Sequence, residues 1–186
     1  GAEDTAIALD ISAAVTDVDG SESITGITIE GLPAGASLSA GTENPDGSWT
    51  LSPAELTGLT VTPPADSDDD FSLTVTATST EADGDTASTV STLNVAVTGV
   101  ADAPTVSVSD AAGAEDTAIA LDVSSALSDT DGSETLSVTI GGVPDGASLS
   151  AGTDNGDGSW TLTPAQLSGL TVTPPADSDD DFSLTV

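Results

Sequence analysis

The chain contains one stretch of sequence twice. Residues 1–9 read GAEDTAIAL, and residues 113–121 read the same. The block at 58–75, GLTVTPPADSDDDFSLTV, returns unchanged at 169–186. The offset between copies is 112 residues before Gly26 and 111 after it, so the second copy has lost one residue there. Roughly three-quarters of the shared positions match. A period this long exceeds the ~20–45 residues of a solenoid unit and suits one independent domain. The second copy stops at Val186, the counterpart of Val75, and nothing matches 76–112. The sequence is therefore expected to be a window on a longer tandem array.

Apolar residues alternate with polar ones at 5–11, 24–29, 48–51, 59–62, 71–77, 89–98 and 104–109. That period-2 pattern predicts strands with one face buried. Turn signals separate them at Asp19-Gly20, Pro33-Ala-Gly35, Asn44-Pro-Asp-Gly47, Pro63-Pro64 and Asp83-Gly84. One helical turn is expected, at 53–56. The predicted core is Ile7, Leu9, Ile11, Val15, Ile27, Ile29, Leu38, Trp49, Leu51, Leu59, Val61, Phe71, Leu73, Val75, Leu93, Val95 and Val97. The expected fold class is all-β: tandem Ig-like or cadherin-like Greek-key β-sandwiches joined by short linkers. The expected domains are 1–101, without its own first strand, and 102–186, lacking the end of F and all of G. Taking 104–109 as strand A, B is 117–123, C 135–140, D 159–162, E 170–173, and F begins at 182. G of the first repeat is 91–98.

The charge narrows the chemistry. There are 32 acidic residues, no Lys, Arg, His or Cys, and a formal net charge of −32. Nucleic acid and anionic membranes need basic residues to displace counterions, so neither is an expected partner. Disulfides, imidazole or thiolate metal sites, Ser-His-Asp triads and Schiff-base lysines are excluded by composition. There is no apolar run long enough for a transmembrane helix and no signal-peptide pattern. The carboxylates need an external counterion, and divalent metal is the obvious candidate.

Topology sorts these acids. In an Ig-like sandwich the AB and EF loops share one end and the BC and FG loops the other. Glu3 and Asp4 fall in the AB turn of the first repeat, and Asp66, Asp68, Asp69 and Asp70 in its EF turn. Asp102 lies in the linker, and Asp129 and Asp131 in the BC turn of the second repeat. These nine are the expected metal ligands of an interdomain junction. Like charges at ~4 Å repel by on the order of 1 kcal/mol in water and ~4 kcal/mol near a protein surface. Calcium, which takes 6–8 oxygen ligands in adaptable geometry, suits such a set better than magnesium. Two further groups are weaker metal candidates: Asp17, Asp19, Asp83 and Asp85, then Glu115, Asp116, Asp177, Asp179, Asp180 and Asp181. Asp10, Glu22, Glu30, Asp46, Glu55 and Asp110 read as solvated acids.

Ala2-Glu3-Asp4-Thr5, Asp17-Val-Asp19-Gly20, Asp66-Ser-Asp68-Asp69-Asp70-Phe71 and Val100-Ala-Asp102-Ala-Pro104 together resemble the extender repeats of giant bacterial RTX adhesins. The resemblance spans the whole chain. It implies cadherin-like or bacterial Ig-like sandwiches, type I secretion to the extracellular cell surface, and a role in adhesion and biofilm. It also implies Ca2+ at the linkers, stiffening the array into a rod. The partners it implies are adjacent repeats, calcium ions and, through modules elsewhere, other adhesin chains or surface ligands. The glycine-rich nonapeptide repeat of those adhesins is not present in this sequence.

The leading expectation is therefore a structural spacer. A calcium-dependent glycan-binding module would need exposed aromatics, yet Trp49, Trp160, Phe71 and Phe182 fall on inward phases. An enzyme is not expected, since a glycosidase carboxylate pair is the one conventional option and a compact sandwich offers little cleft. Strand addition between chains, as in an extracellular filament subunit, stays open.

Overall fold

The computed structural model describes residues 1–186 apart from Val18 and Thr130, the middle residues of the two Asp-x-Asp motifs, which lie outside the described residues. The chain divides into two compact units, Gly1–Val100 and Ala101–Val186. Each is all-β and antiparallel in its named strands. Among the described residues no helix is long and apolar enough to cross a membrane.

The first unit runs β1 Ile7–Ala8, β2 Glu22–Glu30, β3 Ser37–Leu38, β4 Thr42–Glu43, β5 Trp49–Leu51, a 3₁₀ turn at Pro53–Leu56, β6 Thr60–Thr62, β7 Phe71–Glu81 and β8 Thr86–Val95. A five-stranded sheet has the order β4-β5-β2-β7-β8, and a smaller one β1-β6-β3. Their inward residues form one core around Ile27, Ile29, Leu51, Leu59, Val61 and Leu73. Leu56, on the 3₁₀ turn, joins that core although strand alternation did not point to it. Trp49 and Phe71 pack against it half-buried.

The strand at Trp49–Leu51 pairs with β2 and so belongs to the larger sheet, not with β6. β2 carries a bulge against β7 between Ile24 and Gly26. This is where the second repeat is one residue shorter. A bulge inserts one extra residue on one strand, so its deletion leaves the flanking register intact. Gly31 closes β2 at φ 91, and a Cβ there would lie 2.6 Å from the Ser72 carbonyl. Its counterpart Gly142 meets the Ser183 carbonyl at the same 2.6 Å.

The second unit runs β9 Thr105–Val108, β10 Ile119–Ala120, β11 Val123–Ala126, β12 Val138–Gly141, β13 Ser148–Leu149, β14 Thr153–Asp154, β15 Ser159–Leu162, a 3₁₀ turn at Pro164–Leu167 and β16 Thr171–Thr173. Its sheets are β10-β16-β13, β11-β9 and β12-β15-β14. The single strand expected at 117–123 is in fact two. The chain leaves β16 at Leu121 and pairs next with β9, through Ser109 N–H to the Asp122 carbonyl and then β11. The core gathers Val138, Ile140, Leu149, Leu162, Leu170 and Val172.

Candidate metal centre

Each unit builds its acidic end with its own contacts. In the first, the N-terminal segment lies parallel to residues 96–98: Ala2 bridges Thr98, and Glu3 N–H donates to the Thr98 carbonyl at 3.0 Å. Glu3 is thereby held beside the chain that leaves the unit. Its Oε1 accepts the Val100 N–H at 2.6 Å. A Cβ at Gly99 would stand 3.5 Å from Asp68 Oδ2 and 3.8 Å from Glu3 Oε1, so both carboxylates face this backbone. Asp70 Oδ1 accepts the Val97 N–H at 2.8 Å.

Asp4 and Asp66 are coupled to each other. Both hold left-handed backbone, φ 54 and 53, a region that Asp tolerates better than most side chains. Asp66 N–H donates to Asp4 Oδ1 at 3.0 Å. The second repeat reproduces this arrangement, with Asp116 and Asp177 both at φ 55 and Asp177 N–H on Asp116 Oδ1 at 3.0 Å. Asp69 is exposed.

The second unit opens with a similar device. Asp102 N–H donates to Glu134 Oε1 at 2.7 Å, and the Ser128 hydroxyl donates to the Ala103 carbonyl at 2.7 Å. The turn between them is a ladder of side-chain acceptors. Asp129 Oδ1 takes the Asp131 N–H at 2.8 Å, and Asp131 Oδ1 the Ser133 N–H at 2.7 Å. Asp129 is buried, 1 % exposed, and its Oδ2 also accepts from the Ser133 hydroxyl at 3.3 Å.

Glu134 was missed by the sequence reading. Its Oε2 is buried with no hydrogen-bond partner. One sequence signal could have found it: the motif is longer than Asp-x-Asp-Gly, reading Asp-x-Asp-Gly-Ser-Glu at both 17–22 and 129–134. In the first repeat the equivalent Glu22, expected to be merely solvated, accepts the Ser79 hydroxyl at 2.6 Å.

The weaker candidates make local turns. Asp17 Oδ1 takes the Asp19 N–H at 3.0 Å. The Ser21 hydroxyl and then its N–H hold the Asp19 carboxyl below the usual carboxylate range. Asp83 Oδ1 accepts the Asp85 N–H at 3.2 Å at the tip of the β7–β8 hairpin. Among the described residues, no three of the weaker candidates bring carboxylate oxygens within 4.8 Å of one another. Beyond the Asp116–Asp177 contact, Glu115, Asp179, Asp180 and Asp181 all line one open cleft of the second unit.

The pattern along residues 97–102 is the main result. Three backbone N–H groups there, of Val97, Val100 and Asp102, are each accepted by a carboxylate, from Asp70, Glu3 and Glu134. A carboxylate fixed through one oxygen keeps lone pairs for a further ligand. The donor set is entirely hard oxygen, which fits Ca2+ and gives no purchase to softer metals. Against known proteins, no family model, no curated protein and no solved structure matches the chain.

Proposed function

We propose that this chain is a pair of structural extender repeats of an extracellular bacterial adhesin, stiffened by Ca2+ where one repeat passes into the next. The finer fold reading, Ig-like or cadherin-like Greek key, is part of the same proposal. The observation that carries it is the buried, unpartnered Oε2 of Glu134 in a chain without any Lys, Arg or His. A buried carboxylate oxygen with no donor costs several kcal/mol unless a cation or proton compensates it. Glu134 Oε1 is already committed to Asp102, the second residue after Val100, whose own N–H is held by Glu3. Acids from the two units thus seize the same short backbone segment. The proposed ligands are Glu3, Asp4, Asp66, Asp68, Asp102, Asp129, Asp131 and Glu134, with Asp69 and Asp70 at the margin.

The ion would supply charge neutralisation and a bond network that resists bending of the linker. An array so tied would hold a distal binding module away from the cell surface. The proposed role is not enzymatic. Glycan binding is less well supported, because Trp49, Trp160, Phe71 and Phe182 all pack half-buried against their own cores. Small-angle scattering of the 186-residue chain with Ca2+ and then with chelator tests the stiffening. A maximum dimension and flexibility that do not change between the two states overturn it.

A further inference from the structure

The identical blocks 58–75 and 169–186 put the same side chains in two different settings. In the first unit β7 is covered by β8, with Phe71 opposite Val95, Leu73 opposite Leu93 and Val75 opposite Ser91. Leu73 is fully buried there, and Val95 and Val97 are 4 % and 7 % exposed. In the second unit the same positions are Phe182, Leu184 and Val186. Leu184 is only half-buried, and Val186 is 37 % exposed. This edge is bonded on one side, where Thr185 and Gly141 exchange hydrogen bonds of 2.8 and 2.9 Å. Among the described residues no strand pairs with its other side.

The result is a cleft of about 590 Å³ inside the second unit. Phe182, Leu184, Ile140 and Val172 line it, together with Val106 and Val108 of β9. Those two valines are 56 % and 58 % exposed, large values for inward-phase residues of a sandwich. An apolar interior beside an unpaired strand edge is what strand addition uses: backbone bonds provide affinity and alternate side chains fill the floor.

We propose that this cleft is a docking site for an extended, uncharged strand with the β8 pattern, apolar at the positions of Leu93, Val95 and Val97. The first unit itself identifies that occupant, because there a strand of this sequence covers the same Phe-x-Leu-x-Val face. Residues 86–98, TASTVSTLNVAVT, contain no charged side chain. A neutral strand is therefore not repelled by Asp179, Asp180 and Asp181 at the cleft, whereas an acidic one is.

The test is a fluorescence-anisotropy titration of a labelled, end-capped peptide of residues 86–98 with the intact 186-residue chain. Saturable binding is expected. Val108→Asp should weaken it by at least about ten-fold, since the charge would be buried under the strand. Because Val108 is more than half exposed, the variant should keep its fold, which circular dichroism verifies. Val90→Asp, on the first unit and outside this cleft, should leave the affinity unchanged. A peptide with Leu93→Asp and Val95→Asp should not bind. If the chain self-associates through this edge, the peptide should dissociate the assembly, and that outcome also supports the site. Absence of saturable binding, or binding that Val108→Asp does not weaken, overturns the proposal.

Discussion

Asp66 donates its backbone N–H to the Oδ1 of Asp4 at 3.0 Å, with both residues in left-handed conformation. The bond ties two turns lying 62 residues apart in the chain. Its exact repetition at Asp116 and Asp177 shows that the sequence of each repeat encodes it, independently of what lies beyond the unit. Asn shares both the acceptor oxygen and the tolerance for this backbone, but not the charge. Asp4→Asn is therefore expected to melt within about 0.5 kcal/mol of the parent in chelator. Asp4→Ala loses the acceptor and gains backbone strain, an expected cost of about 1–3 kcal/mol. Scanning calorimetry in chelator compares the two.

The 3₁₀ turn at Pro53–Leu56 supplies a pH-dependent contact. Ser52 donates both its N–H and its hydroxyl to Glu55 Oε2, each at 2.7 Å. These bonds, the backbone one foremost, hold the Glu55 carboxyl below its ordinary range. A carboxyl depressed in the folded state stabilises the protein above its unfolded pKa and stops doing so as pH falls through the folded value. The second repeat has Gln166 here, whose Oε1 accepts the Thr163 N–H at 2.8 Å. Glu55→Gln should thus retain the turn. Its melting temperature should lie at or below the parent's at pH 7, with the gap closing below about pH 4. A gap that widens on acidification contradicts this assignment.

Two glycines of β2 should respond oppositely. Gly31 has φ 91 and a carbonyl 2.6 Å from the site of a Cβ, so Gly31→Ala is expected to cost about 2 kcal/mol or more. Gly26 has open space around it and no positive φ. Gly26→Ala is expected to be neutral or stabilising by up to about 1 kcal/mol. Urea denaturation of the two variants measures the contrast.

Leucines from the duplicated block should also differ. Leu73→Ala empties a fully buried site and should cost about 2–5 kcal/mol. Leu184→Ala, at a half-buried site, should cost about 1 kcal/mol. Denaturant unfolding of both variants decides whether the uncovered edge lowers the contribution of an identical residue.

The all-β class was legible because alternation and turn residues are local signals, and the turn at Pro53–Leu56 was legible for the same reason. The two-residue strands β3 and β4 were not, being too short to show a period. Leu56 was missed because a 3₁₀ turn sets its own facing. The break between β10 and β11 depends on pairing with β9, which no pattern within 117–123 announces. The acids of the AB and EF turns could be named from topology, and the first unit does set Glu3, Asp68 and Asp70 along residues 97–100. Glu134 could not be named that way. Its carboxylate reaches a backbone N–H 32 residues away, and only the recurrence of Glu after Asp-x-Asp-Gly-Ser hinted at it.

The most direct test of the calcium claim is a calorimetric titration of Ca2+ into the chelator-stripped chain, paired with melting curves, and repeated with Glu134→Gln. Gln keeps an acceptor for the Asp102 N–H while removing charge from the buried oxygen. The account expects saturable heat and a gain of about 2.7 kcal/mol per site at 100-fold excess over Kd, both reduced in the variant. No saturable heat and an unmoved melting curve in the parent chain would contradict it.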